Sequence, residues 1–140
     1  MIAITGAGEY LDIIRPYDEI LLNKLKDDPY VLCFPTAAGL ESEERIQYWL
    51  DLGDKHFAKL NVNHKSIRAL NVDDYNKPET LAEIEKANFI YFSGGNPNHL
   101  YDTLSSSSAW EKLLNIHNNG GILAGCSAGA MIMGEKMNKG

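Results

Sequence analysis

Two cysteines, Cys33 and Cys126, are all that the 140 residues carry. Each lies inside an apolar run, with no Cys-x-x-Cys or Cys/His ligand spacing, so neither a disulfide framework nor a zinc site is indicated. Both are expected to be buried thiols, because a free cysteine behaves as a small hydrophobe. No apolar run approaches the roughly 18–20 residues of a membrane span, and the N-terminus lacks the basic-then-apolar layout of a signal peptide. A cytoplasmic chain with no membrane partner is therefore expected. Basic residues are also scarce: 13 Lys and Arg against 19 Asp and Glu give a net charge of −6. No cluster of them stands out, so nucleic-acid binding, which phosphate contacts dominate, has little support.

Two partial motifs fail for want of one residue type. Gly6-Ala7-Gly8 opens like a dinucleotide fingerprint, but Leu11 stands where the third glycine belongs, so no nucleotide cofactor is expected. Asp73-Asp74, with Asn71 and Asn76 beside them, lacks the glycine and distal glutamate of a calcium loop and reads as a solvated loop; no metal is expected.

What is present is the make-up of one globular domain, 1–140. The chain is 44% hydrophobic and 23% charged, with room for a single core of ordinary size. Short apolar runs alternate with longer amphipathic ones, the pattern of strands and crossover helices in a parallel sheet. The runs are Ile2–Thr5, Tyr30–Phe34, Ser66–Leu70, Asn88–Phe92 and Gly121–Ala124. Several end in Gly, Pro or small polar residues, as strands do where they enter functional loops. Helices are predicted over Ser42 to Leu60, with Ser42 as cap and Ile46, Trp49, Leu50, Gly53, Phe57 and Leu60 on one stripe, and over Tyr17–Leu25 and Pro78–Lys86. A fourth is predicted to open on a capping box at Ser108 and Glu111 and to stop at Asn118-Asn119-Gly120.

The strongest local signal is Gly125-Cys126-Ser127-Ala128-Gly129, between a predicted strand and a helix-compatible run. This is Gly-x-Ser-x-Gly in the setting that exposes a nucleophile on a sharp turn. Ser127 would project from the carboxyl edge of the sheet, and the N–H of Ala128 would point toward a developing oxyanion. About thirty residues earlier, Ser93-Gly94-Gly95-Asn96 closes the preceding strand. A Gly-Gly pair there lets main-chain N–H groups approach a ligand closely, as a second oxyanion donor must.

Ile90-Tyr-Phe-Ser-Gly-Gly-Asn96, Leu100 and Gly120-Gly-Ile-Leu-Ala-Gly-Cys-Ser-Ala-Gly-Ala130 resemble the S51 serine peptidases, which include aspartyl dipeptidases (peptidase E) and cyanophycinases. Ile4-Thr-Gly-Ala-Gly-Glu9 and Phe34-Pro-Thr-Ala-Ala38 are similar to that family's first two strand ends. The resemblance implies a three-layer αβα sandwich around a mostly parallel sheet, like that of class I glutamine amidotransferases. It implies Ser127 as nucleophile, Gly95 and Ala128 as the oxyanion hole, Asn96 in the same pocket, and a small Asp-containing peptide as substrate, without a cofactor. It also implies a His and an acid after the nucleophile. Only thirteen residues follow Ser127; they hold no histidine, and Glu135 is their only acid. The chain is thus expected to match the amino-terminal two-thirds of the family's fold, with exposed apolar faces that favour self-association into a homo-oligomer.

Among the four histidines, His99 follows Gly-Gly-Asn-Pro-Asn at the right edge of the sheet and is the one local candidate for a base. His117 is expected to pack on a stripe with Trp110, Leu113 and Leu114, and His56 and His64 to be surface or boundary residues. Two rival readings remain. One is an inactive S51-like domain that binds a peptide or partner. The other is an amidotransferase-like role, against which Cys126 lies one position early for a cysteine nucleophile.

Overall fold

Strands covered on both faces should be continuous apolar runs, as Tyr30-Val-Leu-Cys-Phe34 and Phe89-Ile-Tyr-Phe92 are. The computed structural model of the chain, which describes residues 1–134, realises this as an α/β sandwich. Its strands are β1 (Ile2–Thr5), β2 (Tyr30–Phe34), β3 (Asn63–Ser66), β4 (Phe89–Phe92) and β5 (Ile122–Cys126). The helices are α1 (Arg15–Leu22), α2 (Glu43–Lys59), α3 (Val72–Asn76), α4 (Pro78–Lys86), α5 (Pro97–Ser105), α6 (Ala109–Asn118) and α7 (Ala128–Met131). The sheet order is β1-β5-β4-β2-β3, and every pairing is parallel.

Alternate side chains of the central strands feed two cores, as the two-residue period of a strand requires. Val31, Cys33, Phe89, Tyr91, Ile122 and Ala124 pack with Tyr10, Leu22 of α1 and Phe57 of α2. Leu32, Phe34, Ile90, Phe92 and Leu123 face the other way, against Tyr75, Ile84, Leu100, Leu104, Leu113 and Ile116 of α3 to α6. Both cysteines are buried and free, as expected. The β1 edge is less well covered, with Ile2 and Ile4 47% and 63% exposed.

Several elements differ from the sequence reading. The third strand is Asn63–Ser66 instead of Ser66–Leu70, because its register is set by β2, Tyr30 opposite Asn63 and Cys33 opposite Ser66. An edge strand tolerates this polar composition. The apolar Ala69 and Leu70 are buried in the loop that follows. Asp73 and Asp74 lie in the first turn of α3, which Asn71 caps by accepting from the Asp74 N–H, while Tyr75 is fully buried beneath. The sequence periodicity also gave no sign of α5, whose first turn carries Pro97 after Asn96. The first helix begins two residues earlier than predicted, at Arg15, with Pro16 in its first turn. Ser42 does cap α2, its hydroxyl accepting from the Arg45 N–H. Ser108 makes no side-chain cap; its own N–H donates to Asn76 Oδ1 at 2.8 Å. On α6 the buried residues are Ala109, Leu113 and Ile116, whereas Leu114 is 43% exposed and His117 half-buried.

His56 is the largest departure. Expected as a surface or boundary residue, it is 2% exposed, and its Nε2 meets Asp18 Oδ2 at 2.7 Å, tying α2 to α1. The pairing of two residues 38 positions apart is a tertiary outcome that helix periodicity does not encode. Replacing Asp18 with Ala would strand the buried imidazole without its partner, at a cost of about 1–3 kcal/mol. A urea unfolding curve should show that loss as a lower midpoint.

Candidate active site

Because all five strands run the same way, their carboxyl ends gather at one edge, where open α/β sheets bind ligands. β5 lies between β1 and β4, so the turn after β5 is flanked by the loops after those two strands. Ser127 occupies that turn. Its φ of 50° and ψ of −109° are rare for a residue with a side chain and cost about 1–3 kcal/mol. The turn is held from both sides: Ser127 N–H donates to the Thr5 carbonyl at 3.0 Å, and the Ser127 carbonyl accepts from Met131 at 2.9 Å.

The flanking glycines answer a packing demand. A Cβ on Gly125 would lie 2.3 Å from the backbone of Gly129, and one on Gly129 would lie 2.3 Å from the Phe92 carbonyl oxygen. α7 can thus approach the sheet only because both positions lack side chains. Cys126 is fully buried and Ser127 is exposed, so this one-residue step turns the thiol inward and the hydroxyl out. Ala128 opens α7, and an N–H in a first helical turn has no intrahelical acceptor.

The loop after β4 completes the wall. A Cβ on Gly94 would sit 3.4 Å from that of Ser127, so the Gly94 backbone lies against the serine side chain. Gly95, with φ of 146°, packs where a Cβ would collide with the Ala37 carbonyl at 2.3 Å. Asn96 caps α5, its Oδ1 accepting from His99 N–H at 3.0 Å, while its own N–H donates to the Ala37 carbonyl at 2.7 Å. Ser127 opens onto a cleft of about 290 Å³ lined by Gly6, Ala7, Glu9, Gly94 and Gly95 on the strand-end side, and by Glu41, Arg45 and Trp49 on the side of α2. A larger apolar groove of about 630 Å³ lies between β1 and α1, and Ser127 does not line it.

Glu9, Glu41 and Arg45 were not among the expected site residues. The carboxylate of Glu9, 7% exposed, bridges the two halves of the site: Oε1 accepts from Gly94 N–H at 3.0 Å and Oε2 from the Cys126 thiol at 2.9 Å. Its place directly after Gly6-Ala7-Gly8 at a strand end was the available signal. Glu41 and Arg45 carried none, since both read as ordinary residues of a helix and its approach. Burial pushes the Cys126 thiol up from its ordinary pKa, and the bond to Glu9 adds to this; burial raises Cys33 strongly as well.

Three of the four histidines are hydrogen-bonded to other groups, and the fourth lies before the opposite end of β5. His99 Nε2 is hydrogen-bonded to the Leu70 carbonyl at 2.8 Å, and His56 is locked to Asp18. His64 bonds Val62 and lies on β3, three strands and roughly 14 Å across the sheet from β5. His117 precedes β5, whose five residues put roughly 17 Å between its start and Ser127. Glu135 lies outside the described residues. Among the described residues no three His, Cys, Asp or Glu side chains gather as metal ligands, and Asp74 is already bound by Lys77 and the Leu70 N–H.

The family model for peptidase family S51 matches residues 1–140. The chain belongs to peptidase family S51. No curated protein matches it. Among solved structures, a peptidase from an acI-B1 Actinobacterium shares 38% identity with this S51 chain over 94% of its length, with a TM-score of 0.89. A candidate peptidase E from Listeria monocytogenes EGD-e, 20% identical over 94% of the chain with a TM-score of 0.66, shares the fold. The S51 chain spans 55% and 60% of those two chains.

Two outcomes follow for this edge of the S51 domain. Glu9→Ala leaves the buried Gly94 N–H without an acceptor and should lower stability by about 1–3 kcal/mol in guanidinium unfolding. Glu9→Gln, which still offers an oxygen, should lose less. The raised thiol pKa values mean that both cysteines stay protonated at pH 8, so iodoacetamide should leave the folded chain unmodified and alkylate both once denaturant unfolds it.

Proposed function

We propose that this S51 domain belongs to a serine peptidase that cleaves small Asp-containing peptides by acyl transfer, with Ser127 as nucleophile. The observation that carries this reading is the exposed hydroxyl of Ser127, held in a strained turn against the Gly94–Gly95 backbone. Strained positions that surrounding hydrogen bonds maintain cluster where groups are presented for chemistry, and here the strain coincides with the Gly-x-Ser-x-Gly motif.

In the proposed reaction, Ser127 Oγ adds to the scissile carbonyl while a base takes its proton. The N–H groups of Gly95 and Ala128 receive the developing oxyanion. Gly94 N–H is spoken for by Glu9, which supports Gly95 as the donor from that loop. Collapse of the tetrahedral species expels the amine, protonated by the same base, and water then releases the acyl group. Three of the four histidines are hydrogen-bonded to other groups and His117 lies before the opposite end of β5, which supports a base among residues that S51 chains of full peptidase length carry outside the matched region. This is the reading to which the expected histidine and acid belong.

Hydrolysis of Asp-Leu, followed by the appearance of free leucine, tests the proposal. Ser127→Ala should reduce any turnover by at least about 1,000-fold. Peptide binding without turnover in either form would favour the non-catalytic S51-like binding domain. Glutaminase activity that survives Ser127→Ala and falls to a thiol reagent would transfer the chemistry to Cys126.

A further inference from the structure

The wall of the Ser127 cleft supplied by α2 carries Arg45, the one cation among the residues that line it. Its guanidinium carbon lies 4.8 Å from the ring centre of Tyr48 and 5.0 Å from that of Trp49. Those rings are themselves packed edge to face, 5.2 Å apart. Stacking of this kind holds the guanidinium plane in place, so little rotamer freedom is lost when a ligand binds. Behind it, Nε faces Glu41 Oε2 at 3.5 Å. That contact uses one edge of the fork; among the described residues no acceptor is placed on the two terminal nitrogens.

The other charged groups of the cleft are acids already served by donors. Glu9 is held by Gly94 N–H and the Cys126 thiol, and Glu41 by Arg45. What the cleft presents unsatisfied is a planar pair of N–H donors, fixed by aromatic rings, in a space of about 290 Å³ that it shares with Ser127. Carboxylates and phosphates both match such a fork in charge and geometry, and in a cleft read as a peptide site the matching group is a carboxylate. On a chain of net charge −6, long-range attraction will not draw an anion in, so its recognition must be local.

We infer that Arg45 is a specificity-determining residue that binds a carboxylate of a short peptide lying in the Ser127 cleft. The inference rests on the reading of that cleft as a peptide site, but not on turnover. The carboxylate has two sources, an acidic side chain or a free C-terminus, and the same contact serves either.

Trp49 lines the cleft and supplies a fluorescence signal for binding. The titration uses the Ser127→Ala chain, in which nothing is consumed, and four peptides: Asp-Leu, Asp-Leu-amide, Asn-Leu and Asn-Leu-amide. The inference expects at least one of the two singly carboxylated peptides to bind about tenfold or more tightly than Asn-Leu-amide, and that one identifies the source. Arg45→Gln and Arg45→Met, both at a half-exposed position, should bring all four peptides to the affinity of Asn-Leu-amide while the chain still unfolds in one cooperative urea transition. Equal affinities in the Arg45 chain, or a preference that survives both substitutions, would overturn the inference. Failure of Ser127→Ala to reduce hydrolysis would overturn the nucleophile assignment and leave the Arg45 result standing, so the two failures are distinguishable.

Discussion

The placement of β5 between β1 and β4 in a wholly parallel sheet is the constraint from which the rest of the site follows. Parallel ladders put every carboxyl end on one edge, and this order puts the ends of β1 and β4 on either side of the turn that carries Ser127. The Thr5 carbonyl can then receive the Ser127 N–H, and Gly94 can lie against the serine side chain. Neither contact would survive a different strand order, whatever the residues of the motif.

A turn with a side chain at positive φ has to be maintained by its surroundings. Here the maintenance is divided between packing and polar contacts. Gly125 and Gly129 let α7 close on the sheet within a distance that any Cβ would forbid. Glu9 then clamps the loop after β4 to the end of β5, through a backbone N–H on one side and a thiol on the other. A buried acid in this position ties the backbone on both sides of the serine to the stability of the fold. The same clamp engages Cys126, a buried thiol that donates to a carboxylate and does not line the cleft.

Opposite this rigid edge stands α2, whose first turns face the cleft with Arg45 and Trp49. Its far end is buried through Phe57 and His56, and the His56–Asp18 contact fixes it to α1. The helix thus holds the two sides of the cleft in a set relation, with the core at one end and a charged, aromatic face at the other.

Much of this was legible from residues alone where the signal is local. Continuous apolar runs marked β2 and β4, the Ser42 hydroxyl and its acidic neighbours marked the start of α2, and Gly-x-Ser-x-Gly marked the turn at Ser127. These depend on periods, caps and close approaches that neighbours in sequence decide. β3 was misplaced because an edge strand needs no apolar pattern and takes its register from Tyr30–Cys33. α3 was missed because its one buried residue, Tyr75, sits among acids that read as loop. Glu9 was passed over, and His56 read as a surface or boundary residue, because each acts through a partner far away in the chain. The sequence by itself determined a parallel α/β domain of the S51 type with a serine on a sharp turn after a strand. Only the tertiary structure decided which acid clamps that turn, which partners hold His56 and His99 and which cation shares the cleft with Ser127, since these are contacts between strands and helices that meet only when the sheet is assembled.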